Sequence, residues 1–274
     1  MAHLVSAWHT QQGLVLAQVK TAAKSNEITA IPELLDALDV QGAIITIDAM
    51  GCQRAVVEKI VARQADCIIG VKDNQPSLAQ AIEKLFDAND ATSSATPLAQ
   101  HTRVDKRHGR VQSRSCTVAN DLQSMAEHGP PWAGLRSVIR VHSTREVVKG
   151  KGKGKDKDKG KGKGKGKGER SVEWRYYISS LELSADAFNT AICAHWGIEN
   201  SCHWVLDMTL REDDCRIRIR IRTGDGAQNF AILRRIALNL IKQERSGKSS
   251  MNIKRQRAGW STTCLEKLLG LVTH

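Results

Sequence analysis

Gly42-Ala43-Ile44-Ile45-Thr46-Ile47-Asp48 is the stretch that decides the fold. A continuous apolar run of strand length, opened by glycine and closed by aspartate, reads as a strand buried on both faces of a sheet. Asp66–Val71 (DCIIGV) has the same character. Between and after these two strands, Arg54–Gln64 and Ser77–Phe86 carry helical periodicity, with Ser77 as the expected N-cap. Upstream, Leu4–His9 and Leu14–Lys20 alternate across Thr10-Gln11-Gln12-Gly13, which predicts a β-hairpin. Ser25-Asn26-Glu27 supplies N-cap chemistry, and Pro32 suits the first turn of a helix running to Leu38. Hairpin, helix, strand, helix, strand, helix is the order of a mixed α/β sheet with flanking helices.

The character changes from about Ala88 to Ser180. Asn89–Thr96 is loop-like, Gly109–Ala119 alternates like a strand, and Leu135–Val148 and Glu173–Ser180 read as two further strands that pair. Between those two lies Lys149–Gly168, a Lys-Gly tract holding ten Lys and two Asp. Glycine at nearly every second position and mutual repulsion of like charges predict a disordered loop there. Arg216–Arg222 (RIRIRIR) repeats itself in the same manner. Helices are expected at Ala227–Gln243 and Thr262–Val272.

Ala194–Asp214 (AHWGIENSCHWVLDMTLREDD) reads as one amphipathic helix. At 100° per residue, Phe188, Ile192, Ile198, Cys202, Val205 and Leu206 form one apolar stripe, with Asn200, Trp204 and Asp207 facing away. Glu199 falls at the edge of the stripe, where a carboxylate must be neutralised, hydrogen-bonded or bound to a cation.

The formal net charge is +12, and the Lys-Gly tract alone contributes +8, leaving +4 on the other 254 residues. Charge by itself therefore gives only a mild bias toward nucleic acid, local to Arg216, Arg218, Arg220, Arg222, Arg234, Arg235, Lys254, Arg255 and Arg257. Seven cysteines without a Cys-x-x-Cys pair suit free thiols in a reducing cytoplasm. No stretch has the length and apolarity of a membrane span.

Asp48 stands at the carboxyl end of an expected central strand, where α/β folds place ligand groups. It is either a turn-capping residue or a ligand, and Glu199 is either a salt-bridge partner or a second ligand. Taken together, an Asp from a sheet and a Glu from a packed helix can share hard cations through oxygen ligands. His195, Glu199 and His203, spaced i, i+4 and i+8, also allow a zinc site with one more ligand. The plainer alternative has His195 hydrogen-bonded to a carboxylate or phosphate and His203 packed on Trp204 or Trp196. Lys72, Gln75, His108 and Arg110 read either as phosphate contacts or as ordinary turn residues, and Asp207, Glu212, Asp213 and Asp214 as solvated or paired with arginine.

The segments SAW (6–8), KSNEITAIPELL (24–35), TIDAMGCQ (46–53), KDNQ (72–75), HGR (108–110), YYISSL (176–181), HWGIEN (195–200), HWVLD (203–207) and RTGDGAQNFAILRRIALNL (222–240) occur in this order. So ordered a set resembles insertion-sequence transposases of the ISAs type, which include the H-repeat-associated proteins. The resemblance runs from Leu4 to about Arg245, apart from the Lys-Gly tract. It implies an RNase H-like fold whose Asp-Asp-Glu triad binds two Mg²⁺ or Mn²⁺ ions, with Asp48 as the second Asp and Glu199 as the Glu. It further implies metal-dependent DNA cleavage and strand transfer by a homo-oligomer on terminal repeats and target DNA, in the cytoplasm and at the nucleoid. His195, with the other four turn residues, is then a DNA-contact candidate.

Three positions depart from the family pattern. The family's first Asp belongs to a DGK motif on a strand upstream of SAW, so the chain is expected to lack that strand and to be impaired in catalysis. Cys193 stands where the family has Arg, and Gln112 where HGR is followed by an acidic residue. The expected organisation is an N-terminal part of the catalytic domain over 1–87, a β-rich insertion over 88–180, a helical part carrying Glu199 over 181–245, and a C-terminal tail or helix over 246–274. A non-catalytic DNA-binding fragment that inhibits transposition, or a decaying remnant, is the competing expectation.

Overall fold

The computed structural model describes residues 4–21, 27–91, 98–107, 110–128, 131–147, 170–212, 226–245 and 247–271. The Lys-Gly tract, RIRIRIR, the Ser25-Asn26 cap, His108, Asp213 and Asp214 lie outside them. Two units emerge, residues 43–192 and a second that joins 1–42 to 193–274.

The first unit is built on a six-stranded mixed sheet. β3 (Ile44–Ile47) and β4 (Asp66–Val71) run parallel, joined by α2 (Arg54–Ala62) as a crossover helix. Antiparallel strands then continue the sheet from β4 through β8 (Arg170–Ser179), β7 (Ser137–Val147) and β6 (Arg110–Ala119) to β5 (Ala99–Arg107). β7 and β8 pair as the sequence predicts. β5 was not expected: AQHTRVDKR has no apolar alternation, because this edge strand covers no core.

One face of the sheet packs on α4 (Ala185–His195). Cys116, Val118, Ile139, Val141, Tyr177 and Ile68 close against Ala185, Phe188 and Ile192. The other face meets α3 (Pro76–Ala91), whose Phe86 lies under the Arg140 guanidinium while Asp90 grips the same group through two hydrogen bonds of 2.8 and 3.0 Å. α3 begins with Pro76 at its first position, where a missing N–H costs nothing, so Ser77 sits inside the helix and not at the expected cap.

β4 is buried as predicted, whereas β3 is not. Ile44 is 48% exposed and Ile45, Thr46 and Ile47 are half-buried. Among the described strands β3 pairs with β4 alone, so it is an edge strand and the run read as doubly buried has one side uncovered.

In the second unit β1 (Leu4–His9) and β2 (Leu14–Lys20) form the predicted hairpin, with a bulge between Ala7 and Trp8. Gly13 takes φ +68° at its turn and donates its N–H to the His9 carbonyl at 2.7 Å. Val19 packs on Ala30 and Leu34, the latter two from α1 (Ala30–Asp36). Val15 joins Cys202, Val205, Leu206 and Leu238, the last from α6 (Gly226–Gln243). The Asn239 amide of α6 accepts from Val15 N at 2.9 Å and donates to Val15 O at 2.8 Å, so a side chain completes the strand's backbone pairing. α7 (Met251–Trp260) and α8 (Thr262–Leu268) follow, capped by Ser250 and Ser261. α7 was not anticipated, since its polar surface carries no periodic signal.

Candidate active site

Asp48 follows the last residue of β3 with φ −71° and ψ 177°, and caps a 3₁₀ turn over Ala49–Gly51 by accepting the Met50 N–H at 3.1 Å. Its side chain is exposed. Three features fix this corner. Gly70 of β4 lies beneath it, where a Cβ would stand 3.1 Å from Ala49 N. The Asn74 amide donates to Ala49 O at 2.6 Å, and the Gln75 amide donates to Cys52 O at 2.9 Å. Gln75, proposed from sequence as a phosphate contact, thus braces the turn that carries the carboxylate, and Lys72 lies exposed two residues beyond Gly70. Gly70 and Asn74 were missed, although the KDNQ segment directly after a buried strand was the available signal. Burial pushes the Cys52 thiol at the base of the turn up to about 12, so it stays a neutral packing group.

Glu199 lies in the other unit. The helix expected from 194 to 214 is not continuous: α4 ends at His195, Trp196 makes a turn, and Glu199–His203 forms a π-helical turn before α5 (Trp204–Met208). A π turn inserts an extra residue and rotates the side chains that follow, and such turns often mark functional positions. Glu199 is consequently outside the apolar stripe and its side chain is 58% exposed, which corrects the expectation of a carboxylate at the core edge. Its Oε2 lies 3.4 Å from Nδ1 of His203, so His203 serves the carboxylate instead of packing on a tryptophan. His195 stands edge-to-face with Trp196, centroids 5.3 Å apart. The apolar stripe is real, but Phe188 and Ile192 enter the core of one unit, and Cys202, Val205 and Leu206 that of the other.

Arg110 starts β6 and is exposed. Of the acidic residues read as solvated or paired, Glu212 accepts from Arg235 Nη1 at 2.8 Å. Among the described residues no three of His, Cys, Asp and Glu gather as a metal cluster, and no helix is long and apolar enough to cross a membrane. Asp48 and Glu199 each offer hard oxygen donors, Asp48 engaged by one backbone N–H and Glu199 by one imidazole, so their chemistry fits Mg²⁺ or Mn²⁺ better than a soft metal.

Residues 1–240 match the family model described as the transposase DDE domain. The chain is 36% identical over 267 residues to the H repeat-associated putative transposase YhhI of Escherichia coli K12, covering 97% of this chain and 65% of that protein. It is equally similar to the putative protein YbfL of the same strain, and 38% identical over 267 residues to the putative transposase YncI of Escherichia coli O157:H7, of which it covers 63%. The chain therefore spans somewhat under two thirds of the length of these relatives, and it belongs to the DDE transposase family.

Proposed function

We propose that the chain acts in DNA transposition of an insertion sequence as a metal-dependent DNA-cleaving and strand-transferring enzyme, with Asp48 and Glu199 as its catalytic metal ligands. The observation that carries this is Asp48: an exposed carboxylate at the carboxyl end of a parallel strand, on a corner held by Gly70, Asn74 and Gln75. A merely structural cap needs no such bracing by two amides and a glycine. Among the described strands β3 pairs with β4 alone, an edge position compatible with an RNase H-like sheet.

Divalent ions, when bound, supply the charge stabilisation that phosphodiester cleavage requires. The chain's own residues do the rest. Asp48 and Glu199 present exposed carboxylate oxygens that would hold the ions. His203 restrains the Glu199 carboxylate through the 3.4 Å contact. Lys72, His108, Arg110 and His195 are assigned to the DNA backbone, and Gln75 acts through the turn it supports. A homo-oligomer acting on chromosomal DNA completes the reading.

The test is nicking of duplexes carrying the element's ends, with Mg²⁺ and with EDTA. Mg²⁺-dependent cleavage that falls about a hundredfold or more in both Asp48→Asn and Glu199→Gln is expected. Cleavage that persists in Asp48→Ala would remove the assignment.

A further inference from the structure

The π turn at Glu199–His203 decides which side chains stand beside the Glu199 carboxylate. The Trp204 N–H donates to the Glu199 carbonyl, an i to i+5 hydrogen bond. In a regular α-helix, residues five apart point about 140° away from each other. In the wider π turn residue i+5 returns to nearly the side of residue i, so His203 and Trp204 flank Glu199 one turn further on. His203 makes the 3.4 Å contact with the carboxylate. Metal binding leaves Trp204 without a task.

The indole is costly where it stands. Trp204 is 57% exposed, and Met208, four residues on along the same face of α5, is 63% exposed. Val205 and Leu206 fill the core of the unit, so α5 is already anchored by its inner side. It nonetheless holds a second apolar shelf in solvent, next to Glu199. A large indole and a thioether uncovered side by side mark a surface that a ligand covers.

Position identifies that ligand. The ions that Glu199 would hold act on a phosphodiester, and one helical turn is a rise of only about 5 Å. The base of the nucleotide being cleaved therefore hangs within reach of Trp204. Any base stacks on an indole, because every base has a π face. A base offers that face only where it is terminal or drawn out of the duplex stack, and cleavage at an element end creates a terminal one. Phosphate oxygens call for cations, and this shelf carries none.

We propose that Trp204 is a substrate-stacking residue: the nucleobase adjoining the cleaved phosphodiester lies on its indole, with Met208 beside it, and the π turn sets that indole next to Glu199. This rests on the DNA-cleaving reading and adds a base contact to its metal ligands.

The experiment measures equilibrium binding of the full chain, in Ca²⁺ to withhold cleavage, to a duplex ending at the cleaved bond of the element. A second duplex is identical except that the 3′-terminal nucleotide of the transferred strand is abasic. The parent chain is expected to bind the intact end roughly five- to 150-fold more tightly than the abasic one. W204A should lose that difference while matching the parent on the abasic end, in Mn²⁺ affinity and in thermal unfolding. W204F should keep most of the difference and W204L little of it, since Leu keeps apolar bulk without a π face. Should W204A fail to fold, the Phe and Leu variants decide.

Equal binding of both ends by the parent, an equal loss on both ends in W204A, or W204L indistinguishable from W204F overturns the proposal. A W204A chain that changes its oligomeric state while keeping the base-dependent difference would assign the indole to a second copy, and overturns it too. Absence of any duplex binding by the parent chain would overturn the DNA-acting reading as well.

Discussion

Gly70 lies so close beneath Asp48 that a Cβ on residue 70 would stand 3.5 Å from the Asp48 carbonyl carbon and 3.1 Å from Ala49 N. The crowded atoms are backbone, which cannot rotate away as a side-chain tip can. Gly70→Ala should therefore cost about 1–3 kcal/mol and shift the Asp48 corner outward. Thermal unfolding gives the first quantity, and Mn²⁺ affinity the second. A variant equal to the parent in both would show that the corner is not packed on β4 as described.

Arg235 is a charged group inside the second unit, with only 10% of its side chain exposed. It donates to Glu212 Oε1 at 2.8 Å, to Ala231 O at 3.1 Å and to Ser6 Oγ at 3.3 Å, tying the end of the α5 region, α6 and β1 together. Glu212→Ala leaves the guanidinium without its counter-charge, and a loss of up to about 3 kcal/mol is expected, less than for a fully buried pair because Glu212 is partly solvated. Replacing both partners with Leu and Met should be milder than the single change. Urea denaturation of the single and double variants checks the ordering, and a harmless Glu212→Ala would contradict it.

The buried thiols set an alkaline limit. Burial pushes Cys52 up to about 12 and Cys202 up to about 11 from an ordinary value near 9. A folded-state value raised in this way gives stability that is complete below pH 9 and is lost as pH rises through 11 to 12. Unfolding midpoints in urea should fall between pH 8.5 and 10.5, by at most roughly 2 kcal/mol per thiol. At pH 8 iodoacetamide should spare Cys52, Cys67 and Cys202 in the native chain while reaching the half-exposed Cys193 and Cys264, read site by site by mass spectrometry. Fast labelling of Cys52 would contradict its burial.

Much of the architecture was legible in short apolar runs. Leu4–His9, Leu14–Lys20 and Asp66–Val71 end where the pattern says, because each packs on the core through its own alternation or its own full burial. What escaped depends on neighbours. β3 reads like β4 in sequence, yet a strand's burial is decided by what pairs beside it, and Ile44 is exposed. β5 and α7 carry few core residues and so leave no periodic trace. Asp48 could be found from its strand end, but Gly70 and Asn74 brace it from residues 22 and 26 positions away. The position of Glu199 on the helix surface was misjudged because 100° per residue fails across the turn at Trp196 and the π turn at Glu199–His203.

The central claim is that Asp48 and Glu199 serve the same divalent ions, and Mn²⁺ titration followed by electron paramagnetic resonance tests it most directly, without requiring turnover. Asp48→Asn and Glu199→Gln should each weaken Mn²⁺ binding by about tenfold or more, and the double variant should be little worse than either alone, as two ligands of one site are non-additive. Parent-like Mn²⁺ binding in both single variants, or losses that simply multiply in the double variant, would contradict the claim.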